Sequence, residues 1–149
     1  MTGRASRRRD RGYTLIELLS ALAVAAVLAT IALPDTTHVL HKARRSDATA
    51  TLLQVQMAQE RHRADHARYG TLAELRVAER SAAGHYRLVM AAAGDDAFEV
   101  HALATGTQDR DAACRRITLR VDGGHAAYAS GSDERTDNGD AANRRCWSL

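Results

Sequence analysis

The 149 residues lack every common frame for enzyme chemistry. There is no Walker A loop to cradle phosphates, no G-x-S-x-G nucleophile turn, no H-E-x-x-H metal helix and no pair of carboxylates in a recognisable frame. The residues therefore point away from catalysis and name no catalytic group, cofactor or metal ligand set. Cysteine is scarce. Cys114 and Cys146 are the whole complement and lack C-x-x-C spacing, which argues against a thiol redox pair. Proline occurs once, at Pro34, and no glycine follows it until Gly70, so nothing breaks a helix across that stretch. No internal repeat or low-complexity tract is present. A chain of this length has room for one modest domain.

The charge is unevenly placed. The formal net charge is +3, but residues 1–12 hold Arg4, Arg7, Arg8, Arg9 and Arg11 against Asp10, a local +4. Residues 13–149 therefore carry −1, which is close to neutral and weakens the case for a polyanion as partner.

An apolar run follows the basic head. The sixteen residues 18–33 include only Ser20 and Thr30 as polar members, and counted from Tyr13 the run is twenty-one residues long. As a helix it spans about 32 Å, enough to cross a bilayer's hydrocarbon core. Arginines before it and none within it orient it with the N-terminus cytoplasmic and the bulk exported. Glu17 sits oddly in such a run, because an ionised side chain in a bilayer is costly, on the order of 3 kcal/mol at a helix centre and less near an end. A secretory signal has a shorter apolar stretch with a small-x-small site after it, whereas Ala23-Val24-Ala25 lies inside this one. A plain anchor gives Glu17 no reason to exist, beyond snorkelling to the headgroups.

Gly12-Tyr13-Thr14-Leu15-Ile16-Glu17 resembles the G-F-T-L-I-E signature of type IV prepilins, which likewise follows a short basic leader and opens an apolar helix. The resemblance implies that a membrane prepilin peptidase cuts between Gly12 and Tyr13 and methylates the new amine. Glu17 then becomes the fifth residue of the mature chain, and its carboxylate can meet the amine of a neighbouring subunit. Opposite charges in low dielectric offset each other's desolvation, and a mis-set neighbour leaves both unpaired, so such a pair sets register. Pro34 lies twenty-two residues into the mature chain, where these pilins commonly bend the helix. Ala26 where many members have glycine, and Tyr13 in place of phenylalanine, depart from the pattern.

Past Pro34 the residues turn polar while a helical period continues. Val39, Ala43, Ala50, Leu53 and Met57 form a narrow apolar stripe, expected to lie on the sheet that follows. The segment around Gln59-Glu60-Arg61 with Tyr69 resembles the helix end and adjoining loop of PilE-like minor pilins. Alternation then places strands over residues 85–91, with Tyr86, Leu88 and Met90 on one face, and over 97–103, with Phe98, Val100 and Ala102. Residues 116–121 repeat the pattern with Ile117, Leu119 and Val121. Gly123-Gly124 marks a turn into a fourth strand over 125–130. Residues 131–145 are polar and read as a loop.

The expected architecture is α+β: a long N-terminal helix, half transmembrane and half amphipathic, packed on a small antiparallel β-meander with a disulfide-bounded C-terminal loop. Its parts are a leader at 1–12, an apolar helix at 13–34, an amphipathic half at 35–66 and a head at 67–149. An exported head meets an oxidising compartment, where Cys114 and Cys146 can persist as a disulfide; the Cys146-Trp147 ending also resembles PilE-like pilins.

Three further groups read as ordinary surface. His62 and His66 stand one turn apart without a third ligand, amid Arg61, Arg63 and Arg68. Residues 133–140 offer oxygen but not EF-hand spacing. The pairs Arg44-Arg45, Arg115-Arg116 and Arg144-Arg145 read as solvated or salt-bridged rather than as a DNA patch. The resemblance implies a structural subunit rather than an enzyme, serving adhesion, twitching motility or DNA uptake. Its partners are other pilin subunits, the prepilin peptidase and the inner-membrane assembly machinery. It begins as a single-pass inner-membrane protein and passes to the periplasm and cell-surface pilus. A type II secretion pseudopilin and a membrane-tethered binding module that never polymerises are the alternatives.

Overall fold

A computed structural model describes residues 13–32 and 36–149. The basic leader, Gly12 and Pro34 lie outside the described residues, and with them the cleavage junction's first half and the expected bend. The chain divides into two compact units between Thr36 and Thr37.

The first unit contains helix α1, Leu15–Ala32. Its start is set by Thr14 and Glu17, three residues apart. The Glu17 N–H donates to Thr14 Oγ1 (3.3 Å), and the Thr14 N–H donates to Glu17 Oε2 (3.5 Å). This is the reciprocal arrangement of a capping box, which satisfies two backbone donors that a helix start otherwise leaves open. Leu15, Ile16, Leu18, Leu19, Leu22, Val24, Val27 and Leu28 are all exposed, so apolar surface covers every side of α1. Among the described residues no helix is long and apolar enough to cross a membrane. The eighteen residues of α1 span about 27 Å against a hydrocarbon core of about 30 Å, and the end of the apolar run falls beyond them.

The second unit begins with helix α2, Thr36–His66. It packs on one face of a four-stranded antiparallel sheet in the order β1-β2-β3-β4. The strands are β1 Tyr86–Ala93, β2 Ala97–Ala104, β3 Arg116–Asp122 and β4 His125–Gly131. The first three fall where alternation placed them, and the fourth follows the glycine turn. Tyr86, Leu88, Phe98, Val100, Ala102, Ile117, Leu119 and Val121 face the helix and are buried, with Met90 partly covered where a bulge interrupts β1. Gly123 and Gly124, both at positive φ, close the β3–β4 hairpin in a conformation that costs glycine little.

Two expectations are corrected. The helix face on the sheet is Arg45, Ala48, Leu52, Val55 and Gln59, all buried. The stripe Val39, Ala43, Ala50, Leu53 and Met57 is exposed. Polarity hid the true packing face: Arg45 is neutralised in the interior and Gln59 spends its amide on Gly70, donating to its carbonyl (2.7 Å) and accepting its N–H (2.8 Å). The second correction concerns residues 131–145. A helix, α3 Asp140–Trp147, starts within them and runs past them, ending on Ser148 in a left-handed conformation. Only Cys146 and Trp147 of α3 are buried, too few to print a period in the sequence.

Candidate assembly segment and arginine junction

The N-terminal segment is built by the capping box. Tyr13 precedes α1 and is exposed, and Glu17 lies within the first turn of the helix. Inside one chain the Glu17 carboxylate is already occupied with the Thr14 N–H. Sequence reasoning singled out Glu17 for its charge but missed Thr14, although the T-x-x-E spacing was present to be read.

The second constellation gathers around the disulfide. Cys114 and Cys146 are bonded, with Cα atoms 5.5 Å apart, and both are buried. Arg115 and Arg116 follow one cysteine and Arg144 and Arg145 precede the other, so the bond joins the two backbone segments that carry these pairs. Helix α2 adds the third pair through a buried ion pair. Asp111 Oδ2 accepts from Arg45 Nε (2.7 Å) and Oδ1 from Arg45 Nη2 (2.8 Å), at side-chain exposures of 3% and 8%. Arg45 Nη1 also donates to the Arg145 carbonyl (3.4 Å).

Gln108 closes the network. Its Nε2 shares two hydrogens among three acceptors, Asp111 Oδ2 (3.1 Å), the Tyr86 hydroxyl (3.0 Å) and the His41 carbonyl (3.3 Å). Its Oε1 meets His41 Nδ1 at 3.0 Å; the amide hydrogens being on Nε2, that nitrogen of His41 is the donor. Burial pushes the Tyr86 hydroxyl up to about 12, against the opposing effect of its bond to Gln108.

Arg45 is therefore internal scaffolding. Other arginines on the same backbone segments stay at the surface. Arg44 donates to Thr107 Oγ1 (2.7 Å), while Arg110, Arg144 and Arg145 are exposed. None of these four lies in an ion pair among the described residues. Arg115 is held by the Asp109 carbonyl (2.7 Å) and carboxylate (3.7 Å). Arg116 shares a cleft with Asp133 and Glu134.

The outward face of the sheet places Val89, His101, Thr118 and Ala129 in one row by register. His101 Nδ1 meets Thr118 Oγ1 at 2.8 Å, and Nε2 lies 3.6 Å from Glu99 Oε1. Burial, aided by the Arg116 charge and opposed by Glu99, lowers the His101 pKa below the ordinary histidine value.

The remaining candidates are apart from both constellations. The His62 and His66 rings stack at 4.1 Å, and His66 Nδ1 meets the His62 carbonyl at 3.0 Å. Among the described residues no group of three or more His, Cys, Asp or Glu is placed to hold a metal ion. In the acidic loop, Asp133 Oδ1 accepts the Arg135 N–H (2.9 Å). The Asn138 amide there donates to the Ala113 carbonyl (2.7 Å) and to Ser130 Oγ (3.0 Å), tying the loop to the disulfide and β4.

Comparison with known proteins agrees with this anatomy. Residues 34–118 match the family described as type IV minor pilin ComP, DNA uptake sequence receptor, and residues 7–33 match the prokaryotic N-terminal methylation motif. The type IV major pilin protein PilA of Myxococcus xanthus (strain DK1622) is 38% identical over 89 residues, covering 58% of this chain and 40% of that protein. The chain thus spans less than half the length of that relative. An apolar N-terminal helix, an α+β head with an antiparallel meander, a terminal disulfide and a family match across more than half the residues lead to one assignment: the chain belongs to the type IV minor pilin family.

Proposed function

We propose that this pilin is cleaved between Gly12 and Tyr13, retains its apolar helix, and joins a pilus in which Glu17 of one subunit meets the Tyr13 amine of another. It is a structural subunit, not an enzyme. Before assembly it sits in the inner membrane with its leader cytoplasmic, and the peptidase and assembly machinery are its first partners. The match of residues 7–33 to the methylation motif supports this reading. The intact mass and N-terminal peptide of protein from sheared filaments test it. A chain beginning at a methylated Tyr13 is expected. A chain retaining residues 1–12 and confined to membranes overturns it, and a tethered binding module takes its place.

We further propose that the head binds DNA at the arginine junction. The observation that carries this is that Arg44, Arg110, Arg144 and Arg145 all lie next in sequence to the Arg45–Asp111 pair or close to the disulfide, none of them ion-paired among the described residues, in a chain matching a family described as a DNA uptake sequence receptor. The near-neutral net charge argues against a polyanion only as an average. The disulfide and the Arg45–Asp111 pair tie together the backbone segments that carry these cations, and local potential governs phosphate contact. The test is binding of the purified protein to duplex DNA across a salt series. Arg144→Gln with Arg145→Gln should weaken binding for all sequences and reduce the salt slope by about 2. An unchanged slope refutes the placement.

A further inference from the structure

Helix α2 carries two apolar faces, and its own head covers one. The covered face runs through Ala48, Leu52, Val55 and Gln59. The other runs through Val39, Ala43, Ser46, Ala50, Leu53 and Met57, all exposed. At 100° per residue the two lie on opposite sides of the helix. Val39, Leu53 and Met57 are 67%, 43% and 53% exposed, and with Leu40 alongside they form a continuous strip rather than scattered apolar side chains.

The strip steps 4, 3, 4, 3, 4 along the chain, which is the seam of a heptad repeat. Val39, Ser46 and Leu53 occupy d positions, and Ala43, Ala50 and Met57 occupy a positions. We infer that α2 pairs in parallel with α2 of a second copy of this chain, forming a short coiled coil with the two heads on its outer sides.

Three observations favour this occupant. The alanines at a allow close approach of the two helix axes. Ser46, the one polar member, donates to the Ala43 carbonyl of its own helix (2.6 Å), so no unpaired hydroxyl enters the seam. Charge then selects the orientation. In a parallel pair the g position of one helix faces the following e position of the other, which sets Lys42, the chain's single lysine, against Asp47 of the second copy. The Asp47 carboxylate is fixed in place beforehand, accepting from Ser81 Oγ (2.6 Å), the Ala83 N–H (3.0 Å) and the His85 N–H (3.4 Å). It lines an open cleft with Leu40, Ala43, Ala50, Ala83 and His85 beside the seam. The further g–e pairs, Thr49 with Gln54 and Gln56 with Arg61, bring no like charges together.

The inference stands apart from both proposals above, because it uses neither Glu17 nor the arginine junction. The test is oxidative cross-linking of full-length Ala50→Cys in the membranes of cells that make it. Residues at a face their own copies across a parallel seam, so a disulfide-linked homodimer is expected. Ala58→Cys, off the seam, should give none. Adding Leu53→Glu, or separately Met57→Glu, to Ala50→Cys should abolish the dimer while the Cys114–Cys146 bond and buried Trp147 fluorescence persist, which shows that the head is still folded. No homodimer from Ala50→Cys, or one indifferent to both glutamates, overturns the proposal. Cross-linking of Ala50→Cys only to a cysteine placed at Val24 of another copy overturns it too, and assigns the strip to a neighbour's α1.

Discussion

Replacing Asp111 with alanine should unfold the head more readily than its single lost side chain suggests. Asp111 accepts three buried donors, two from Arg45 at 2.7 and 2.8 Å and one from Gln108 at 3.1 Å. Removing the carboxylate strands the Arg45 guanidinium at 3% side-chain exposure, where water cannot replace its partner. Breaking one side of such a pair costs about 3–5 kcal/mol. With a urea slope of about 1.5 kcal/mol per M for a domain of this size, the midpoint should fall by about 2–3 M. The assay is urea titration followed by Trp147 fluorescence, since this tryptophan is the only one in the chain. It reports the right place: it packs on Tyr128 at 4.7 Å and donates to the Ala129 carbonyl (2.9 Å). The paired replacement Arg45→Met with Asp111→Leu leaves no stranded charge and should recover most of the loss. A midpoint drop below about 0.5 M for Asp111→Ala, or a double variant as unstable as the sum of its singles, refutes the reasoning.

Other outcomes follow from the same structure. Cys114→Ser with Cys146→Ser should cost about 3–4 kcal/mol, because the bond closes a loop of sequence separation 32 and restricts the unfolded chain; differential scanning calorimetry checks it. Gln59→Leu should cost about 2–4 kcal/mol, since it leaves the buried Gly70 N–H and carbonyl unsatisfied, and faster amide exchange at Gly70 should accompany the loss. His101 has a lowered pKa from burial and Arg116, so the fold favours its neutral form. That stability is present above the unfolded value of about 6.5 and is lost as pH falls below it. His101→Gln should flatten the decline below pH 6.5 in a melting series, and an unchanged acid limb contradicts the assignment.

The first three strands were legible because their apolar residues alternate: Phe98, Val100 and Ala102 are buried against the helix, although His101 on the opposite face is buried as well, and β4, exposed from His125 to Tyr128, was legible only from the glycine turn before it. Helix α2 was legible as a helix, but its packing face was not. An apolar stripe reads as core only when solvent is the sole alternative, and here Arg45 and Gln59 line the covered side because tertiary partners satisfy them. The true core stripe is therefore interrupted by polar residues, while the cleaner one faces out. Helix α3 was illegible for a related reason, as eight residues with two buried do not complete a period. The arginine pairs were visible as pairs, yet their separate fates were not.

The sequence by itself determined what depends on neighbours along the chain. This covers the helix start at Thr14 and Glu17, the unbroken apolar run, the three alternating strands and the glycine turn into the fourth. Each of these is a local spacing, and backbone sterics with hydrophobic periodicity act at that range. Tertiary structure alone decided which face of α2 is covered, that Arg45 turns inward to Asp111 while Arg44 stays out, and that residues far apart in the chain share one junction. Those outcomes depend on partners 66 and 32 residues away, and a polar side chain becomes core or surface only when its partner arrives.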